Sequence, residues 1–380
     1  MYRLRNAAVT LPLLVLLAAP LRAAEPGANA IAKRLAPFFR PPPELANDFG
    51  NYTSPLKFYD RTPVKTAADW PKRRREILDT WHRFMGPWPA LIAKPKVEYL
   101  EKERRERLTQ HHVRLEVAPG LTRDAYLLLP DGEGPFPAVL VVFYDAKTGI
   151  GRGTAPLRDF AWQLARRSFV TLSVGSDPAS YYPDKANAQL QPLSFHAYVA
   201  ANCYNALANL PQVDAKRVGV VGHSYGGKWA MFASCLFDKF ACAAWCDPGV
   251  VFDEKRPNVN YWEPWYLGYE RGRERKRGVV TKDNPRTGAY KRLVESGHDL
   301  HELHALMAPR PVLVSGGAED RPERWKALNH AVAVNKFLGH TNRVAMTNRK
   351  GHAPTAESNE QMYLCFELFL KPDKARAGDR

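Results

Sequence analysis

The chain has 380 residues, of which 45% are hydrophobic and 25% are charged, and its formal net charge is +16. This composition is typical of a globular protein with a large buried core, and it excludes a disordered or fibrous chain. The basic balance favours anionic partners, but no nucleic-acid-binding motif accompanies it, so we expect no nucleic-acid partner.

The first residues have the pattern of an export signal. Arg3 and Arg5 precede an apolar run from Ala7 to Ala19, which is too short to span a bilayer. We predict a signal peptide over residues 1–24, although Ala28-Asn29-Ala30 is an alternative cleavage sequence to Leu21-Arg22-Ala23. The mature domain, residues 25–380, is then secreted or periplasmic, with no integral membrane association.

The next elements predict a mixed sheet. A helix is expected from Trp70 to about Met85, followed by two antiparallel strands at His111–Val117 and Arg123–Leu129. From the strand Phe136–Phe143 onward, strands and helices alternate, which is typical of βαβ units. We therefore expect an α/β fold with a mostly parallel central sheet and helices on both faces.

The most informative motif is a glycine-flanked serine. A β-branched run ends in Gly222-His223-Ser224-Tyr225-Gly226, and a helix-forming sequence follows. This order is typical of a nucleophile elbow, in which glycines leave room for a sharp turn. Ser224 is the predicted nucleophile. The backbone N–H of Tyr225 and that of Tyr144 or Asp145, just after the strand Phe136–Phe143, are the predicted oxyanion donors.

A serine nucleophile needs a base and a carboxylate, in the chain order serine, acid, histidine. The strand Pro311–Ser315 opens into a loop that contains Glu319 and Asp320, and Asp320 is the predicted acid. The adjacent Glu319 is the alternative. His352 follows the last predicted strand, Arg343–Thr347, and is the predicted base.

The remaining histidines and the cysteines predict no metal site. His298, His301 and His304 lack the i, i+4 histidine pair of the zinc-binding H-E-x-x-H helix. The five cysteines lie in apolar segments, and we expect them to be buried rather than joined in a disulfide framework. We therefore predict neither a metal nor a cofactor.

A long irregular stretch, residues 247–298, interrupts the alternation of strands and helices. It contains Trp262, Trp265 and a dense basic run, and we predict a lid over the cleft. The two tryptophans suit the apolar faces of sugars, which makes them candidate substrate-binding residues. Packing of the insert onto the domain explains them equally well.

Three segments carry a family resemblance: Asp69–Arg75, Gly222–Lys228 and His301–Pro311. They resemble secreted α/β-hydrolase carbohydrate esterases, in particular the glucuronoyl esterases and the acetyl xylan esterase-like group. The resemblance implies the α/β-hydrolase fold and hydrolysis of an acetyl or glucuronoyl ester on a plant cell-wall polysaccharide. It also implies that Lys228 contacts sugar hydroxyls.

Two departures from the pattern of the glucuronoyl esterases matter. Those enzymes carry an arginine directly after the nucleophile, where this chain has Tyr225. The difference favours an acetyl or other small acyl ester. In some members of these families the acid follows the sixth strand rather than the seventh, and Asp247 occupies that place here, which makes it a second alternative to Asp320. The alternatives are a prolyl oligopeptidase-like serine peptidase, which shares the serine motif, and a carbohydrate-binding homologue without catalysis.

Overall fold

The computed structural model describes residues 27–176, 180–256, 266–273, 275–276 and 278–371. Nine strands are found in this part of the chain: β1 (Val97–Arg105), β2 (Leu108–Ala118), β3 (Leu121–Pro130), β4 (Phe136–Phe143), β5 (Val170–Gly175), β6 (Val213–His223), β7 (Cys242–Cys246), β8 (Val312–Gly316) and β9 (Val344–Asn348).

Ten α-helices accompany them in the same ranges: α1 (Ala28–Leu35), α2 (Trp70–Met85), α3 (Ala146–Gly149), α4 (Phe160–Arg166), α5 (Pro192–Ala208), α6 (Tyr225–Leu236), α7 (Gly288–Glu295), α8 (His301–Ala305), α9 (Trp325–Phe337) and α10 (Ala356–Leu370). Short 3₁₀ turns lie at Ala36–Phe39, Pro43–Leu45, Ala67–Asp69 and Pro322–Arg324.

All nine strands form one sheet in the order β1-β2-β3-β5-β4-β6-β7-β8-β9. The first four strands in this order pair antiparallel, and the strands from β5 to β9 pair parallel. The predicted helix from Trp70 and the predicted hairpin are confirmed as α2 and as β2 with β3. Strand β1 was not predicted, because it is an edge strand with no buried residue and therefore lacks a hydrophobic alternation.

The core lies on both faces of the sheet. In β4, Leu140 and Val142 pack into one hydrophobic cluster, whereas Val139 and Val141 pack into the other. Helices α2, α5, α6, α8 and α9 cover the first face, and α1, α4 and α10 cover the second. Since both faces are covered, the parallel strands have continuous apolar sequences. Because these strands are parallel, their carboxyl ends lie at the same edge of the sheet. The predicted central sheet with helices on both sides is confirmed.

The five cysteines are all buried and unpaired, as predicted. In the described residues, no helix is both long and apolar enough to cross a bilayer. The predicted signal peptide, residues 1–24, lies outside the described ranges. The predicted insert, residues 247–298, lies between β7 and β8, and of its described part only α7 is helical.

Candidate active site

The predicted nucleophile lies on a sharp turn between β6 and α6. Ser224 has φ +57° and ψ −121°, a left-handed conformation that is unusual for a residue with a side chain. Its N–H donates to the Cys246 carbonyl at 2.9 Å, which ties the turn to the end of β7. The Ser224 side chain is only half-buried, so its hydroxyl can meet a substrate.

The flanking glycines are required by close backbone contacts. A Cβ at Gly222 would lie 2.2 Å from the Gly226 carbonyl oxygen, and a Cβ at Gly226 would lie 2.2 Å from that of Val142. Real Cβ atoms do not approach so closely, so the glycines allow β4, β6 and α6 to meet backbone against backbone. The sequence G-x-S-x-G therefore follows from the packing of the turn.

A hydrogen-bonded relay connects Ser224 to a buried carboxylate. The His352 Nε2 atom lies 2.9 Å from Ser224 Oγ, and its Nδ1 atom lies 2.6 Å from Asp247 Oδ2. His352 follows β9, and Asp247 follows β7, so the carboxyl ends of three parallel strands bring the three side chains together. The imidazole can accept the serine proton at Nε2 while the carboxylate holds the Nδ1–H.

The prediction that Asp320 is the acid beside His352 is wrong, and so is the alternative Glu319. The Asp320 carboxylate accepts the N–H groups of Gly249 and Val250, both at 2.7 Å, and points into the loop after β7. The Glu319 carboxylate pairs with Arg256 at 3.3 Å. The place next to His352 belongs to Asp247, the other alternative, whose Oδ2 atom lies 2.6 Å from His352 Nδ1.

Room for the Asp247 carboxylate comes from a glycine. A Cβ at Gly317, in the loop after β8, would lie 2.8 Å from Asp247 Oδ2. Asp247 itself has φ +50° and is fully buried. In the sequence, only the adjacent pair Gly316-Gly317 pointed to a tight contact in this loop. The pair did not show that the contact is with Asp247.

The loops after β7 and β8 hold each other through their carboxylates. Asp247 Oδ1 accepts the N–H groups of Glu319 and Asp320, at 3.1 and 2.9 Å. Asp320 in turn accepts N–H groups two and three residues after Asp247. We call this reciprocal arrangement of Asp247 and Asp320 the carboxylate clasp. It fixes the position of the carboxylate that His352 contacts.

The pKa values of the two carboxylates in the clasp shift in opposite directions. Burial raises the pKa of Asp247, but the hydrogen bonds from His352 and the Asp320 N–H outweigh it, so the pKa lies below its usual value. Burial and the neighbouring Asp247 charge raise the pKa of Asp320. Asp247 is therefore the member of the clasp that loses its proton at the lower pH.

Lys228 lies beneath this site rather than at its surface. It is 1% exposed, and its ammonium group donates to the Gly249 carbonyl. Burial lowers its pKa, although the nearby carboxylates of Asp320 and Asp299 oppose the shift. In this structure the lysine compensates buried carboxylates, and its contact with sugar hydroxyls stays a prediction.

The sequence did not identify the groups that hold the histidine loop. The His352 carbonyl accepts hydrogen bonds from Arg349 Nη2 at 2.7 Å and from His223 Nε2 at 2.9 Å. Since His223 donates from Nε2, its Nδ1 atom can accept the Arg158 Nε–H at 3.2 Å. Burial lowers the pKa of His223 to about 3, so it remains neutral. No spacing in the sequence marks these contacts, which depend on the fold.

The candidate oxyanion donors lie at the expected strand ends. Tyr225 begins α6 directly after the serine, and Tyr144 follows β4, the neighbour of β6 in the sheet. Their rings stack with centroids 5.7 Å apart. The alternative, Asp145, caps α3 with its side chain, which accepts the Thr148 N–H at 2.8 Å.

The sequence also singled out two tryptophans and a group of three histidines. Trp262 and Trp265 are outside the described residues. His298 and His301 donate to Glu302 and to the Thr53 carbonyl, and His304 is fully buried. In the part of the chain that the structure describes, no group of three or more histidine, cysteine or acidic side chains could hold a metal ion.

Solved structures with a similar fold were found. They include a glucuronoyl esterase from Solibacter usitatus, with a TM-score of 0.65 and 18% identity over 85% of this chain and 98% of that one. A glucuronoyl esterase of carbohydrate esterase family 15 from Teredinibacter turnerae T7901 gives 0.63 and 18%, over 83% and 88%. A protein from Bacteroides fragilis NCTC 9343 with a proposed acetyl xylan esterase activity gives 0.55 and 15%, over 86% and 90%.

No protein-family model and no curated protein matches the sequence. The structural similarity, together with the strand order and the position of the serine turn, confirms the α/β-hydrolase fold that the sequence predicted. The chain resembles glucuronoyl esterases and the acetyl xylan esterase-like protein in fold.

Proposed function

We propose that this protein is a serine esterase that hydrolyses carboxylic esters on a plant cell-wall polysaccharide. The observation that carries the proposal is the continuous relay from Ser224 Oγ through His352 to Asp247, with distances of 2.9 and 2.6 Å. The similar folds of carbohydrate esterases support the substrate class.

The proposed reaction proceeds through an acyl-enzyme. Ser224 Oγ attacks the ester carbonyl carbon as its proton passes to His352 Nε2, and the backbone N–H groups of Tyr225 and Tyr144 stabilise the oxyanion. The ester C–O bond then breaks, and His352 returns the proton to the departing alcohol. Water, deprotonated by His352, attacks the acyl-enzyme and releases the acid.

A small acyl group, such as acetyl, suits the site better than a uronate ester. The residue after the nucleophile is Tyr225, which is 2% exposed and has its hydroxyl 2.5 Å from His196 Nδ1. Burial raises the pKa of this hydroxyl, so it stays neutral. A buried neutral phenol cannot provide the positive charge that an arginine at this position provides in glucuronoyl esterases.

The test is hydrolysis of acetylated xylan and of a methyl glucuronate ester by the wild type, Ser224→Ala and Thr122→Ala. Thr122 is an exposed hydroxyl on β3 and serves as the control. We expect acetate release that falls by roughly a thousandfold or more in Ser224→Ala and is unchanged in Thr122→Ala.

Other results would change the assignment. Methanol release that depends on Ser224 identifies a glucuronoyl esterase instead. Serine-dependent cleavage of peptide p-nitroanilides without ester hydrolysis supports the peptidase alternative. No hydrolysis of any substrate supports a carbohydrate-binding homologue.

The proposed location is outside the cytoplasm. The basis is the apolar run behind Arg3 and Arg5, which is typical of a signal peptide. Mass spectrometry of the protein recovered from the periplasm or medium tests this location, and a mature chain that retains Arg3 contradicts it.

A further inference from the structure

A cavity that Ser224 does not line is bordered by aromatic rings and polar groups. Its volume is about 770 Å³, which is within the range of small-ligand sites. The segment before α2 forms one wall with Phe49, Tyr52 and Phe58, and the start of α8 forms another with Glu302. None of Ser224, Asp247 and His352 lines it.

Glu302 is the buried polar group of this cavity. Its side chain is nearly inaccessible, with the whole residue 2% exposed. The Oε2 atom accepts three hydrogen bonds, from Tyr59 Oη at 3.1 Å, Trp81 Nε1 at 2.9 Å and His298 Nδ1 at 2.9 Å. One oxygen of the carboxylate is therefore fully used by the protein.

The other oxygen of Glu302 lacks such partners. No described residue donates a hydrogen bond to Oε1, and Oε1 is not among the solvent-inaccessible atoms without a partner. Because Glu302 lines the cavity, Oε1 reaches solvent there. Burial raises the pKa of Glu302, but the hydrogen bond and charge of His298 outweigh it, so the carboxylate is ionised. An ionised, nearly buried oxygen requires a donor from outside the protein.

The other residues that line the cavity favour a hydroxyl group over an ammonium group as the donor to Glu302 Oε1. Lys57 and Arg61 are exposed and line the same cavity, and their positive charges disfavour an ammonium ligand. A hydroxyl group meets no such repulsion. The rings of Phe49 and Phe58 offer apolar surfaces on which the C–H face of a sugar ring can pack while its hydroxyl edge meets Glu302.

We propose that this cavity is a saccharide-binding site that takes a neutral sugar residue, with Glu302 Oε1 accepting a sugar hydroxyl and Phe49 and Phe58 packing on the ring. The proposal goes beyond the ester chemistry, because it assigns a separate site that holds the chain of a polysaccharide. It needs no bond formation or cleavage.

The experiment is calorimetric titration of the full chain carrying Ser224→Ala with xylotetraose and cellotetraose, which carry no ester. Phe49→Ala removes a ring that is 38% exposed, so the fold should tolerate it. Tyr99→Ala is the matched control, since Tyr99 is a 52% exposed ring on β1 outside the cavity. Glu302→Gln tests the carboxylate, and thermal unfolding verifies that each variant is folded.

We expect at least one of the two oligosaccharides to bind, with an affinity that falls about tenfold in Phe49→Ala and not in Tyr99→Ala. Glu302→Gln should weaken saccharide binding more than Phe49→Ala does. Absence of binding at millimolar saccharide overturns the proposal, as does equal binding by Phe49→Ala, Tyr99→Ala and the parent. The result is independent of the esterase assignment: a protein that binds in this pattern but hydrolyses no ester contradicts only the proposed function.

Discussion

At the scale of single residues, the candidate active site depends on two strained backbone conformations. Ser224 and Asp247 both have positive φ values, +57° and +50°, although each carries a side chain. Such conformations persist only where the surrounding structure holds them. The Cys246 carbonyl holds the Ser224 turn, and the carboxylate clasp holds the loop that begins at Asp247.

Substitutions at the two aspartates of the clasp should therefore reduce activity to different degrees. Asp247→Asn replaces the carboxylate that orients the His352 imidazole, so we expect kcat/KM for p-nitrophenyl acetate to fall by about 10³ to 10⁴. Asp320→Asn removes only a support of the adjacent loop, and we expect a loss of about tenfold. Both rates are measured by release of p-nitrophenol.

The control for these variants is their thermal unfolding, because both carboxylates are buried. If Asp320→Asn lost as much activity as Asp247→Asn while remaining folded, the assignment of Asp247 as the orienting carboxylate would be wrong.

At the scale of elements, α8 connects the segment before α2 to the core. His301 Nε2 donates to the Thr53 carbonyl at 2.7 Å, and the His301 ring packs against Tyr52 with centroids 4.9 Å apart. The ring is buried, and burial lowers its pKa from 6.5 to about 4. Burial therefore keeps the His301 ring neutral in the folded protein at neutral pH.

The shift has a direct consequence for stability. The unfolded chain binds a proton at His301 near pH 6.5, whereas the folded chain binds it only near pH 4, so stability is full above pH 6.5 and falls as the pH drops toward 4. The contribution of one such histidine is about 1.4 kcal/mol per pH unit. Urea unfolding of the wild type between pH 7 and pH 4 measures this decline.

His301→Gln should reduce the decline, because glutamine can still donate to the Thr53 carbonyl but does not titrate. Thr122→Ala, a substitution of an exposed residue that does not titrate, is the control and should leave the pH dependence unchanged. An identical pH dependence in wild type and His301→Gln would show that His301 is not a buried neutral histidine.

At the scale of the whole molecule, the two-faced core makes a disulfide framework unnecessary. The hydrophobic clusters on the two sides of the sheet extend over nearly all of its strands and most helices, and all five cysteines lie within buried segments. Domains of this size bury most of their apolar surface without cross-links. The cysteines here act as small apolar side chains.

The thiols should therefore be inert in the folded protein. Burial raises the pKa of Cys203, Cys235 and Cys246 to about 12, which suppresses the reactive thiolate. We expect no rapid reaction of the native protein with Ellman's reagent and five reactive thiols after denaturation without reductant. The denatured Cys203→Ala variant should have one reactive thiol fewer than the denatured wild type. A lower wild-type count after denaturation would reveal a disulfide and contradict the structure.

The sequence by itself determined the order of the main elements and most of the candidate site. The apolar runs of β4 and β6 to β9 mark strands that are buried on both faces, and G-x-S-x-G marks the turn at Ser224, because local backbone packing requires glycine there. His352 was identifiable because only one histidine follows the last strand. The half-exposed edge strand β1 had no such pattern.

Only the tertiary structure decided which carboxylate faces His352. Asp247 and Asp320 both follow strands whose carboxyl ends lie at the same edge of the sheet, so chain order cannot distinguish them. The direction of each side chain depends on the positive φ of Asp247, on the space left by Gly317 and on the N–H groups that each loop presents to the other. These are contacts between residues about 70 positions apart, which no local pattern encodes.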